Sequence, residues 1–137
     1  MLKLNYTEVG LYMERVTASL EMLIAQRIVL AVRLKQSFYV EPGRASFLLP
    51  ADIPELVQLE IALQRERNRE VTLSPVDGEF VEVSLSGSWV AESKEAHEGM
   101  FLAVISDSSF GETALYPAEF LIYKLWQMSE AQISSLA

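Results

Sequence analysis

Between Glu79 and Ala91 the side chains alternate with a period of two: Phe80, Glu82 and Ser84 fall on one side, and Val81, Val83 and Leu85 on the other. Successive strand residues point to opposite faces of a sheet, so this pattern predicts a strand with one half-buried face. The same alternation opens the chain, where Leu2, Leu4 and Tyr6 are interleaved with Lys3 and Asn5. Thr7-Glu8-Val9-Gly10 reads as a turn and Leu11 to Val16 as a second strand, which predicts an N-terminal hairpin. A chain built from such segments is committed to a sheet.

The other segments fill in around it. Thr17 or Ser19 caps a short helix through about Gln26, with Leu20, Leu23 and Ile24 facing inward. From Arg27, the residues Ile28, Leu30, Val32 and Leu34 alternate with Val29, Ala31, Arg33 and Lys35, which predicts a strand. A helix running on to Lys35 is the alternative. Phe38 to Val40 and Ala45 to Leu49 flank Glu41-Pro42-Gly43-Arg44, read as a type II turn with Gly43 at positive φ and residues 37–49 as a hairpin. Asp52 and Glu55 have capping-box spacing around Pro54, predicting a helix over 53–67. Its stripe is Leu56, Leu59 and Leu63, widened by Val57 and Ile61. Val71-Thr72-Leu73 is a short strand, Asp77-Gly78 a turn, and Gly87 a bulge or bend. Glu92 to Gly99 is a charged loop, Met100 to Ile105 a buried strand, and Asp107 to Gly111 a turn. Pro117-Ala118-Glu119 starts a last helix. The predicted fold is α+β: a mostly antiparallel sheet built from hairpins, with two or three helices packed on it.

The 137 residues fit a single domain, 1–137, with a core that needs no staples. There is no cysteine, which removes disulfides, thiolate metal sites and a cysteine nucleophile. The net charge of −8 opposes a phosphate backbone or an anionic membrane. Arg65, Arg67 and Arg69 are the only basic cluster, and residues two apart on a helix face opposite sides. No nucleic-acid or membrane partner is expected. The first residues lack an apolar signal-peptide core, and runs such as Ile28 to Val32 or Phe120 to Ile122 are too short to span a bilayer. The expected location is the cytoplasm.

Candidate chemistry is thin. His97, the single histidine, lies in a polar loop with Glu95 and Glu98 and is read as a surface residue rather than a general base or metal ligand. Glu79, Glu82 and Asp77, or Asp107 and Glu112, are read as turn carboxylates rather than catalytic pairs. Ser84, Ser86 and Ser88 alternate as the solvent face of a strand, and Ser106, Ser108 and Ser109 sit in no nucleophile elbow. No phosphate-cradling loop is present, so no cofactor, metal or catalytic residue is expected. Trp89 and Trp126 are read as core or core-edge packing. Over 118–128, Ala118, Leu121, Ile122, Leu125, Trp126 and Met128 share one apolar face. Phe120 and Tyr123 fall on the opposite side and are the candidate partner-binding pair.

The segments LKLNYTEVGLYMERV, ASFLLPADIPELVQLE, GEFVEVSLSGSWVA and AEFLIYKLWQ together resemble a group of small conserved cyanobacterial proteins with no assigned function. The resemblance covers most of the chain. It implies a bacterial, cytoplasmic protein and transfers no site residues. The expected function is that of a non-enzymatic accessory or protein-interaction protein, with a protein partner or a homo-oligomer. The alternative is a small-ligand binder, or an enzyme, with a pocket between sheet and helices.

Overall fold

The computed structural model describes residues 1–105 and 117–136, with side chains described as far as Ser129. The elements are β1 (Leu2–Thr7), β2 (Gly10–Arg15), α1 (Leu20–Leu34), β3 (Tyr39–Pro50), α2 (Glu55–Arg65), β4 (Val71–Pro75), β5 (Phe80–Ala91), β6 (Gly99–Ala103) and α3 (Ala118–Leu136). The strands form one six-stranded sheet in the order β2-β1-β6-β5-β3, with β4 also pairing β5. The predicted α+β class holds. The expected turn over Asp107 to Gly111 lies outside the described residues. The chain divides into two compact units.

The first unit comprises Met1–Ala45 and Ser86–Val104. Its N-terminal hairpin forms as expected, antiparallel, from Leu2 opposite Arg15 to Thr7 opposite Gly10. On its other edge β1 pairs antiparallel with β6, Leu4 facing Phe101 and Asn5 facing Met100. Leu2, Leu4, Val90, Phe101 and Leu102 are buried. Gly87 sits where a Cβ would collide with the Leu102 carbonyl, so β5 and β6 meet here at backbone distance. A bend read from the sequence at this glycine is thus a close approach.

Two expectations fail in this unit. Residues 27–35 are helix, not strand: α1 runs unbroken from Leu20 to Leu34. Ser19 Oγ accepts from the Met22 amide at 3.1 Å, and Lys35 closes the helix in the left-handed region at φ 54. The alternation misled because the residues between the supposed inward positions are themselves mostly apolar, and a continuous apolar run has no period to read. The hairpin over 37–49 does not form either. β3 passes straight through Glu41-Pro42-Gly43-Arg44, and Gly43 is not at positive φ. β3 ends the strand order, and a proline is tolerated on an edge strand because no neighbour needs its amide. Burial alternates without a break through the dipeptide, with Val40, Pro42 and Arg44 exposed.

The second unit comprises Ser46–Leu85 and Ile105–Ala137. Asp77 organises the β4–β5 hairpin: its Oδ1 accepts from the Glu79 and Phe80 amides at 2.7 and 3.0 Å. α2 buries Leu56, Leu59 and Ala62, while Val57 and Ile61 are exposed and do not widen the stripe as expected. Pro54 takes the N-cap position and no side chain caps the helix, so the capping box from Asp52 is absent. At the far end Asn68 acts as a clamp. Its Nδ2 donates to the Ile105 carbonyl and its Oδ1 accepts from the Glu70 amide at 2.8 Å. Glu66 Oε1 accepts from the Ala118 amide at 3.1 Å, a carboxylate against a helix N-terminus. α3 buries Ala118, Leu121, Ile122 and Leu125 as expected, and Trp126 stands edge-on to Phe47 at 5.1 Å.

These contrasts set two measurable expectations. Gly87→Ala forces a methyl into the Leu102 carbonyl and is expected to destabilise by about 1–3 kcal/mol. Gly43→Ala places its Cβ at 3.9 Å from Phe101, an ordinary contact, and is expected to be neutral or stabilising by up to about 1 kcal/mol. Urea unfolding of the two variants checks the pair. In the second unit, Asn68→Ala removes both clamp bonds and is expected to cost about 1–3 kcal/mol in the same assay.

Candidate functional site

Helix α1 carries apolar side chains on both sides. At about 100° per residue, Leu20, Leu23, Ile24, Arg27 and Ala31 share one face. That face is turned inward: Ala31 is buried and the other four are half-buried. The opposite line is Met22, Ala25, Val29 and Val32, all exposed, with Ile28 alongside. Met22, Ile28, Val29, Leu30, Val32 and Leu34 each show between 44% and 72% of their surface to solvent. A helix apolar all round is ordinarily enclosed on all sides. Here the protein covers one side and leaves the other open. Sequence reasoning missed this surface because it ended the helix near Gln26. The signals that find it are Ser19 as a cap and a fifteen-residue run with no glycine or proline.

The same unit holds a groove of about 820 Å³. Val90, Met100 and Gly99 supply its apolar and backbone wall, Tyr6 and Thr7 come from β1, and Arg27 reaches it from α1. Lys3 and Arg27 bring positive charge, and Glu8, Glu92 and Glu98 negative charge. Glu14 steadies the β1 side: its Oε2 accepts from Asn5 Nδ2 at 2.9 Å and lies 3.9 Å from Lys3 Nζ. A Cβ at Gly99 would stand 2.5 Å from the Val90 carbonyl oxygen and 3.0 Å from the Trp89 indole, so the position has no room for a side chain. The indole in turn packs edge-on against Tyr6 at 5.3 Å. Within β3, Tyr39 OH donates to Glu41 Oε2 at 2.8 Å.

The residues singled out from sequence fall as follows. His97 is exposed in the loop after β5 and lines the groove together with Glu98, while Glu95 is not among the lining residues. Among the described residues no three His, Asp or Glu side chains are grouped as metal ligands would be. Asp77 serves the β4–β5 turn, accepting from the Glu79 amide, and Glu82 lies opposite Ser74 in the same hairpin. Asp107, Glu112, Ser106, Ser108 and Ser109 lie outside the described residues, and Ser84, Ser86 and Ser88 are half-buried rather than a solvent face. Arg65 ends α2, Arg67 takes the left-handed conformation at φ 51 just beyond it, and Arg69 is exposed. Phe120 and Tyr123 are both half-buried, and Tyr123 OH accepts from Gln127 Nε2 at 2.9 Å.

An antiparallel sheet with three helices, one of them apolar on its open side, defines a small α+β protein whose most distinctive surface is a helix face. The chain belongs to the Alr0857-like family, whose model matches residues 1–130. This agrees with the resemblance to an uncharacterised conserved family seen in the sequence. No curated protein and no solved structure matches the chain. No helix among the described residues is long and apolar enough to cross a membrane.

Two phenols of the first unit are raised above the ordinary tyrosine value. Burial raises Tyr6 above the ordinary value, and the hydrogen bond to Glu41 raises Tyr39, helped by burial and by the charges of Glu41 and Glu95. Both ionise more readily in the unfolded chain, whose tyrosines titrate near pH ~10. The stability they contribute is therefore complete below pH ~10 and is lost as pH rises through the folded values. Tyr39→Phe is expected to make the alkaline fall in stability shallower, measured by denaturant unfolding across that range. An unchanged slope counts against the Tyr39–Glu41 bond.

Proposed function

We propose that this protein is a non-enzymatic, cytoplasmic interaction protein that docks its partner through the outward face of α1. One observation carries the reading: a line of large apolar side chains, Met22, Val29 and Val32 with Ile28 beside them, is exposed on a well-capped helix. Full burial of such a side chain is worth about 1.5–3 kcal/mol, and a partner surface recovers the share still exposed, about half of it. Phe120 and Tyr123 on α3, half-buried, form a second and smaller contact in this reading. The absence of cysteine supports the cytoplasm as the site of action.

The groove favours a second reading, a binder of small polar ligands. Its volume of about 820 Å³ suits a small molecule, and Lys3, Arg27 and His97 lie beside Glu92 and Glu98. The two readings separate experimentally. A photo-crosslinking residue at Val32 is expected to form protein adducts in the cell, whereas the same residue at exposed Thr72 is not. Val29→Lys is expected to remove the adducts while leaving the circular dichroism unchanged. Adducts equal at both positions, or at neither, would overturn the docking role of α1. Phe120→Ala with Tyr123→Ala tests the smaller contact by the same capture.

A further inference from the structure

Resting on the reading of α1 as a docking surface, we propose that its partner is a second copy of this chain, bound with the two α1 helices antiparallel. The spacing of the outer residues is the first argument. Met22, Ala25, Val29 and Val32 are separated by three, four and three residues, the repeat that lets two helices pack side by side. In an antiparallel pair, Met22 meets Val32 of the other copy, and Ala25 meets Val29. The small Ala25 lets the helices approach where Val29 inserts.

Charge complementarity sets the orientation. Glu21, Ile28 and Lys35 lie along one flank of the apolar line, one heptad apart, and Gln26 and Arg33 lie along the other. That register puts the two-fold axis level with residue 27 and brings Glu21 of each copy within about 3 Å, along the helix, of Lys35 of the other. The two opposite-charge contacts stand at the two ends, and Ile28 lies beside the axis near its own counterpart. A parallel pair sets Glu21 beside Gln26 and Ile28 beside Arg33, with no pairing of opposite charge. Flanking charges choose partner and direction in helix pairs, and here they choose the antiparallel one. Glu21 and Lys35 are both exposed, and Lys35 extends its long side chain from the C-cap position at the helix end.

The contact is modest. Fifteen residues make a helix about 22 Å long, and two such helices bury less than the about 1,200–2,000 Å² of a permanent interface. The dimer is therefore concentration-dependent, with a dissociation constant on the order of 10 µM.

Sedimentation equilibrium of the full chain tests this. The unaltered protein is expected to pass from monomer to dimer over the micromolar range, and Val29→Lys to remain monomeric with unchanged circular dichroism. Glu21→Lys and Lys35→Glu, each alone, are expected to weaken self-association about tenfold. Mixed together, the two charge variants are expected to associate with each other as tightly as the unaltered chain, since each antiparallel contact again joins opposite charges. A purified chain that stays monomeric at millimolar concentration overturns the proposal. So does a dimer insensitive to both reversals, or one that the mixture does not restore. Binding of phosphatidylglycerol vesicles through α1 without dimer formation overturns it as well. If the crosslinker at Val32 still captures a different protein in the cell, the docking role of α1 stands and only its partner changes.

Discussion

Apolar burial against a hydrogen-bonded sheet is what holds this chain together, and it acts almost unaided. Among the described residues every buried side chain is apolar, and no disulfide is possible in a chain without cysteine. In the first unit that burial depends on β5 and β6 approaching at Gly87 until a methyl group no longer fits. The approach brings Trp89 opposite Phe101 and Val90 opposite Met100. Val90, Phe101 and Leu102 can then lie fully inside. Polar groups in the second unit work at the margins, where Asn68, Glu66 and Asp77 satisfy backbone atoms that no strand or helix partner reaches.

A core made this way gives apolar surface left outside a particular meaning. Isolated exposed apolar residues are normal on any protein and need no explanation. A line of them on a helix whose other side is already covered is different, because it repeats the pattern that elsewhere in the same chain is enclosed. The groove beside β1 is of the opposite character. It is charged with both signs and walled in part by backbone. The two surfaces share helix α1, whose outward face is one of them and whose inward Arg27 lines the other.

Reading the sequence alone located the sheet and most of its boundaries. Where inward and outward residues differ in polarity, as along Leu2 to Tyr6 and Val81 to Leu85, the period of two names the strand and its buried face. Asp77-Gly78 and Pro117-Ala118-Glu119 were legible because turn and helix-start chemistry is local. Reading failed where local chemistry pointed away from the tertiary outcome. Pro42-Gly43 favours a turn by its own torsional preferences, yet the alternation on either side extends through it at an edge strand. Between Arg27 and Lys35 both periods were available, and the apolar run did not decide between them.

The sequence by itself determined the class of fold, the reliance on apolar burial and the exclusion of disulfide and thiolate chemistry, because those follow from composition and from periods a few residues long. Only the tertiary structure decided that β3 is one strand, that α1 continues to Leu34, and that its line of Met22, Ala25, Val29 and Val32 faces solvent. The physical reason is that exposure is not a property of a residue or of its near neighbours. A helix with two apolar sides has no internal signal saying which side its own chain will cover. That is settled by where residues distant in sequence are packed.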